Sequence, residues 1–265
     1  MKLFSNLFKK DKFLAHDDAN DSQRLVTADL PFAVRESFKA LYTNILYLNI
    51  EDKCKKIAVT SAMSGEGKTF VSTNLALTLA QNATESRVLL IDTDMRQPRV
   101  AKLLDLDMRG HGLSEYLAGI DSVPNFQHLS SCNLTVLTSG ASNVNPTKLI
   151  GSSRMAELLR ACEDEFDYVI VDTPPVNIVT DAILLNDLIN GYIMSTRADY
   201  SDVKSLSDAI ASLERVNAEV FGVVLTSLKL KSGRHYGNYR YGAYKYGRYK
   251  YGNYGDADRS AKEDK

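Results

Sequence analysis

Hydrophobic and polar positions along the 265-residue chain alternate between two periods. Short apolar runs at residues 57–59, 87–91, 134–137, 166–171, 191–196 and 220–225 have the length and continuity of strands covered on both faces. Between them apolar residues return every three or four positions. Val71, Leu75, Leu77, Leu79 and Ala80 mark a helix over 69–83, and similar patterns cover 147–165, 181–187 and 202–216. Phe38, Leu41, Tyr42, Ile45 and Leu46 mark an earlier helix that starts at Pro31, a residue suited to a first turn. Because that helix precedes the first core strand, it must pack outside the sheet or on a neighbouring subunit, with Glu36 and Lys39 on its exposed side. Residues 99–131 read as short helices and loops. Strand and helix in alternation predict an α/β fold of βαβ crossovers, with a mostly parallel sheet and helices on both faces.

Composition narrows the class. A hydrophobic fraction of 44% supplies a core, and the formal charge of -1 argues against a chain that binds nucleic acid over its whole surface. Cys54, Cys132 and Cys162 have neither disulfide nor zinc spacing, which fits a reducing cytoplasm. No apolar run reaches the 18 or so residues needed to span a bilayer. Residues 1–30 read as a flexible N-terminal segment, its first part mixing Leu and Phe with Lys2, Lys9, Lys10 and Lys12 and its second rich in Asp, Asn and Ser.

The chemistry concentrates where strands end. After Ile57–Val59 the chain runs Thr60-Ser-Ala-Met-Ser-Gly-Glu-Gly-Lys-Thr69 into a helix, which is the pattern of a phosphate-binding loop. Ser64, Gly65, Glu66, Gly67, Lys68, Thr69 and Phe70 form the candidate nucleotide cradle. Lys68 would reach the β- and γ-phosphates and the Thr69 hydroxyl would ligate Mg²⁺. The first glycine of the usual pattern is replaced by Ala62, small enough to leave the turn open. The strand at 87–91 delivers Asp92-Thr-Asp-Met-Arg96, and the one at 166–171 delivers Asp172-Thr-Pro-Pro175. Ligands of open α/β sheets bind beyond the carboxyl ends of strands, so these three loops converge. Asp is disfavoured in strands and costly to bury unpaired, so packing alone explains these residues poorly. Asp172 is the acidic partner that holds Mg²⁺, Asp92 the candidate base for an acceptor hydroxyl, and Asp94 a second-sphere Mg²⁺ ligand. Arg96 is left between a phosphate contact and a pairing with Asp94.

From Tyr236 a five-residue repeat begins. It carries Tyr236, Tyr239, Tyr241, Tyr244, Tyr246, Tyr249, Tyr251 and Tyr254, eight of the chain's 14 tyrosines. Its period matches neither helix nor strand, and its glycines raise the entropy cost of ordering, so residues 229–265 are expected to be a flexible tail. Residues 231–255 carry six basic residues and no acidic one. Basic residues among aromatics could stack on single-stranded nucleic acid, but nothing else in the chain supports that. The preferred reading is a substrate: phenols tethered to a domain whose chemistry is phosphoryl transfer. Twenty such residues reach roughly 25 Å in root mean square, enough for the tail's own site or a neighbour's.

The phosphate loop, Leu89-Leu-Ile-Asp-Thr-Asp-Met-Arg96, Val169-Ile-Val-Asp-Thr-Pro174 and the tyrosine cluster together resemble the bacterial tyrosine kinases, specifically the separate cytoplasmic kinases of Gram-positive capsular and exopolysaccharide operons. The resemblance covers roughly residues 31–255 and implies a P-loop NTPase three-layer sandwich over 31–228. It implies ATP with Mg²⁺, autophosphorylation of the eight tail tyrosines between subunits, and control of polysaccharide synthesis. Its implied partners are a transmembrane activator of the chain-length-regulator type, which would hold the kinase at the inner face of the membrane, and a tyrosine phosphatase. Relatives carry a Glu-x-x-Arg-x-x-Arg helix that builds a ring; here it reads Glu36-x-x-Lys39-x-x-Tyr42, which leaves Glu36 and Lys39 as oligomerisation candidates. An asparagine that many relatives place after the last strand is replaced by Leu225-Thr-Ser227, so the adenine contacts are unassigned. The rival is a MinD/ParA-like deviant P-loop ATPase, a dimerising switch that phosphorylates nothing. Such proteins carry a signature lysine early in the loop, where this chain has Met63.

Overall fold

The computed structural model describes residues 30–82, 86–106, 111–129, 132–141 and 145–228. The N-terminal segment expected over 1–29 and the tail expected over 229–265 lie outside these residues. So do all eight expected phosphorylation sites, Tyr236, Tyr239, Tyr241, Tyr244, Tyr246, Tyr249, Tyr251 and Tyr254. Seven strands form one sheet: β1 (Lys55–Ser61), β2 (Val88–Asp92), β3 (Gln127–Leu129), β4 (Leu134–Leu137), β5 (Tyr168–Asp172), β6 (Gly191–Arg197) and β7 (Val220–Thr226). Their spatial order is β3-β4-β2-β5-β1-β6-β7, and all neighbours are parallel except β3 and β4.

The helices are α1 (Phe32–Leu46), α2 (Lys68–Asn82), α3 (Val100–Leu103), α4 (Leu113–Leu117), α5 (Pro146–Ile150), α6 (Ser153–Glu165) and α7 (Val203–Glu214), with a 3-10 helix at Ile183–Leu188. Continuous apolar strands are the cause of the layering. Every residue of β2 and β5 is buried, and the pleat sends alternate side chains to opposite faces. Leu89, Ile91, Val169 and Val171 join Leu113, Leu158, Leu159 and Leu213 of α4, α6 and α7 in one core. Val88, Leu90 and Ile170 join Ile45, Leu75 and Leu79 of α1 and α2 in the other. Each such aliphatic side chain stabilises the sheet by about 1.5–3 kcal/mol relative to exposure.

The helix that precedes the first strand packs on its own domain rather than requiring a neighbour. Ile45 is buried in the α2 core, and the Phe38 ring meets Phe70 edge-on at 5.6 Å. This cover explains why α2 is buried almost all round.

Three local expectations change. The helix read across 147–165 is broken at Gly151-Ser152, where the Ser152 hydroxyl accepts from the Met155 amide and opens a new helix. The segment near 181–187 winds as the 3-10 helix. Within 99–131 a three-residue strand, β3, pairs antiparallel with β4.

The strand order decides where the chemistry lies. β2, β5 and β1 are consecutive, and Asp172 is in register with both Asp92 and Val59. The loops that follow them therefore emerge side by side at the carboxyl end of the sheet.

Candidate functional site

The phosphate loop is held in the conformation its glycines permit. Gly65 and Gly67 have φ of 84° and 90°, a region where a side chain is strained. A Cβ at Gly67 would also come within 3.1 Å of the Thr226 side chain. Ala62 is buried, so the substituted first position is a packed one. Glu66 is buried too; its carboxylate accepts from the Met63 amide at 2.7 Å and from the Ser201 hydroxyl. Its carbonyl accepts from Ser195 Oγ at 2.7 Å and Thr226 Oγ1 at 3.0 Å. Phe70 turns its ring onto Phe38, so only its backbone remains at the loop.

At the mouth of this loop four charged groups meet with almost no exposure. Lys68 Nζ lies 2.6 Å from Asp94 and 3.8 Å from Asp172. The Thr69 hydroxyl donates to Asp172 Oδ2 at 2.7 Å. Asp92 accepts from the amides of Asp94 at 3.1 Å and Val100 at 3.2 Å, which fixes the orientation of its carboxyl and the start of α3. Burial and the charge of Asp172 push the Asp92 carboxyl well above the usual carboxylate range, against the pull of Lys68. Burial raises Asp172 as well, opposed by Lys68 and the Thr69 hydroxyl. Burial alone would lower Lys68, but Asp172 and Asp94 outweigh it and hold the ammonium above its ordinary value.

The residues fit a hard divalent cation. Asp172 Oδ1 is buried without a hydrogen-bond partner, beside a hydroxyl already tied to the other oxygen of the same carboxylate. Oxygen donors of this kind suit Mg²⁺. Among the described residues no three His, Cys, Asp or Glu side chains are grouped to hold a metal by themselves. A cation here would therefore share its ligands with substrate phosphate, as Mg²⁺ usually does.

Arg96 pairs with Asp181 and Thr147 rather than with Asp94. Its Nε bonds Asp181 at 3.1 Å and a terminal nitrogen bonds Thr147 Oγ1 at 2.8 Å, while the Thr147 hydroxyl closes the triangle onto Asp181 at 2.6 Å. The loop after β2 is thereby tied to α5 and to the segment after β5. Glu36, half-buried, and Lys39, exposed, pair with each other on α1 at 2.8 Å. Asp181, Thr147, Ser195 and Thr226 support the site yet carried no motif; they are separated from their partners by 30 or more positions.

Comparison with known proteins identifies the chain's relatives. The family profile described as "ParA: NUBPL iron-transfer P-loop NTPase" matches residues 53–234. Tyrosine-protein kinase YwqD of Bacillus subtilis is 32% identical over 77% of this chain and 85% of its own. Tyrosine-protein kinase CpsD of Streptococcus agalactiae is also 32% identical, over 77% of this chain and 89% of its own. The solved kinase domain of Escherichia coli tyrosine kinase ETK superposes with a TM-score of 0.69 at 33% identity, covering 78% of this chain and 79% of that one. Full-length etk is longer, and this chain spans 31% of it. No helix among the described residues is long and apolar enough to cross a membrane.

Proposed function

The chain belongs to the bacterial tyrosine-protein kinases of the ParA-type P-loop NTPases, and from that premise we propose that it moves the γ-phosphoryl group of ATP to the tyrosines of its own C-terminal cluster, between subunits. The observation that carries the reading is the meeting of Lys68, Asp92, Asp94 and Asp172 at the ends of adjacent strands.

Phosphoryl transfer needs positioning and charge stabilisation more than covalent chemistry. The amides of residues 64–70 and the N-terminus of α2 bind the phosphates, and Lys68 offsets the charge that develops between the β- and γ-groups. Thr69 and Asp172 would hold Mg²⁺, with Asp94 in its second sphere; the cation's chemistry is neutralisation of phosphate charge. Asp92 takes the phenolic proton as the tyrosine oxygen attacks phosphorus. Its burial raises its basicity and its two backbone bonds hold it still. The bond from phosphorus to the β-phosphate oxygen breaks and ADP leaves.

The acceptors on this reading are Tyr236, Tyr239, Tyr241, Tyr244, Tyr246, Tyr249, Tyr251 and Tyr254. Each phosphate adds about -1.5 to -2 of charge to the tail. A segment of six basic residues thus becomes strongly anionic, which changes what it binds. The cycle of phosphorylation and removal by a tyrosine phosphatase then sets capsular or exopolysaccharide synthesis and export. A transmembrane chain-length regulator activates the kinase and keeps it at the inner face of the membrane. A homo-oligomer, in which α1 with Glu36 and Lys39 is one contact face, brings each tail to a neighbour's site.

The kinase reading is preferred to a dimerising ATPase switch because Met63 stands where such a switch has lysine and because the chain carries its own phenols. The test is mass spectrometry of the eight tail tyrosines after incubation with ATP and Mg²⁺, with the activator's cytoplasmic segment supplied. Phosphotyrosine in the tail supports the reading; ATP hydrolysis without it favours the switch.

A further inference from the structure

A loop that offers its amides to a phosphate must turn its carbonyls the other way, where each takes a partner from the protein or from water, and one left without either costs about as much as a lost hydrogen bond. In this chain the outward carbonyls are each engaged. Ser61 Oγ donates to Met63 O at 2.8 Å, and Ser195 and Thr226 share Glu66 O. The Val71 amide takes Gly67 O at 2.9 Å through the helix. The remaining two, at the apex, are met from the bend that runs from the last residue of β6 toward α7. Tyr200 OH donates to Ser64 O at 3.1 Å, and Arg197 reaches Gly65 O at 3.4 Å.

That turn is itself well determined. The Arg197 guanidinium sits over the Tyr200 ring, 5.3 Å from its centroid. The Arg197 amide bonds Ser201 Oγ at 2.9 Å, and the amides of Tyr200 and Ser201 both return to Arg197 O. Asp199 completes the bend at a φ of 58°, in the left-handed region that aspartate tolerates better than most residues. The Ser201 hydroxyl then passes to Glu66, inside the phosphate loop. The Tyr200 ring is the wall facing Gly65, since a Cβ there would meet its hydroxyl at 3.5 Å.

We propose that Arg197 and Tyr200 are positioning residues for ATP: a strap that holds the apical carbonyls of Ser64 and Gly65 outward and so keeps the loop's amides aimed at the phosphates before the nucleotide arrives. The inference rests on the reading of residues 64–70 as the nucleotide cradle. It adds a device outside the cradle's own sequence. Neither residue touches the reacting carboxylates, so the pair acts on binding. Loss of the strap lowers affinity for nucleotide without altering the transfer step.

The test measures binding of a fluorescent ATP analogue with Mg²⁺ to the purified full chain, alongside steady-state KM and kcat. Wild type that fails to bind the analogue would remove the cradle reading itself. Given wild-type binding, Tyr200→Phe keeps the ring and removes only the donor; it is expected to weaken binding and raise KM for ATP roughly fivefold, the size of one net hydrogen bond, with kcat and the melting temperature unchanged. Arg197→Lys keeps the charge but loses the planar stacking, and is expected to do the same. Val203→Ser, three positions beyond Tyr200 and exposed, should leave all four quantities at wild-type values. The proposal is overturned if both strap variants bind the analogue as wild type does, or if they lower kcat or melting temperature while affinity stays constant.

Discussion

The Lys68 ammonium lies 2.6 Å from the Asp94 carboxylate, inside a site where both side chains are nearly inaccessible to water. The cation meant for phosphate is therefore already engaged, and an incoming nucleotide must take it from Asp94. Replacing Asp94 with Asn removes that competitor. Nucleotide binding measured without Mg²⁺ should tighten by about tenfold, corresponding to about 1.4 kcal/mol, whereas turnover with Mg²⁺ should fall. Weaker binding in the Mg²⁺-free titration would show that Asp94 supports the phosphates rather than competing for Lys68.

Lys68→Met deletes the charge partner of the β- and γ-phosphates. Loss of one preorganised group that stabilises transition-state charge costs about 10²–10³ in kcat, so tail labelling should become undetectable in a short assay. Labelling at the wild-type rate would mean that another group performs this role.

Glu115 gives an acid-sensitive point away from the chemistry. Its buried carboxylate accepts from the amides of Gly112 at 2.8 Å and Ala141 at 2.9 Å and from Ser114 Oγ at 3.0 Å. Burial alone would raise it, but these donors outweigh burial and hold it below its ordinary value. A carboxylate lowered in the folded state contributes stability above its unfolded value, and that contribution is lost as pH falls through the folded one. Urea unfolding should therefore show Glu115→Gln less stable than wild type by about 1–3 kcal/mol at pH 7. The gap should close below about pH 4.3. A gap that is constant with pH would assign the loss to packing.

Asp181 is buried, and it is the point at which Arg96 and Thr147 meet. Asp181→Ala should cost about 1–3 kcal/mol of stability by taking the shared acceptor from the Arg96 guanidinium and the Thr147 hydroxyl. It should also lower kcat more than it raises KM for ATP, since the loop carrying Asp92 and Asp94 loses its tether. Thr147→Val, which keeps the ion pair, should show the smaller effect in both measurements.

How much of this was legible in the sequence follows from the range of each interaction. β2 and β5 could be read because burial on both faces forces continuous apolar runs, and their ends could be read because buried aspartates need a chemical reason. The break between α5 and α6 was written in Gly151-Ser152, yet helical periodicity on both sides masked it. β3 has three residues, too few for any alternation to appear. Arg96 and Asp181 are 85 positions apart and Tyr200 lies 136 from Ser64. No local pattern encodes contacts of that range; they exist because β2 lies beside β5 and β1 beside β6 in the sheet.

The central claim, transfer between subunits onto the chain's own tyrosines, is tested most directly by mixing two variants with ATP, Mg²⁺ and the activator's cytoplasmic segment. One is Lys68→Met with an intact tail, the other an active chain truncated before Tyr236. Phosphotyrosine on the tail of the Lys68→Met chain is the predicted result. No phosphotyrosine there, under conditions in which the truncated chain binds ATP and the wild type labels its own tail, would contradict transfer between subunits.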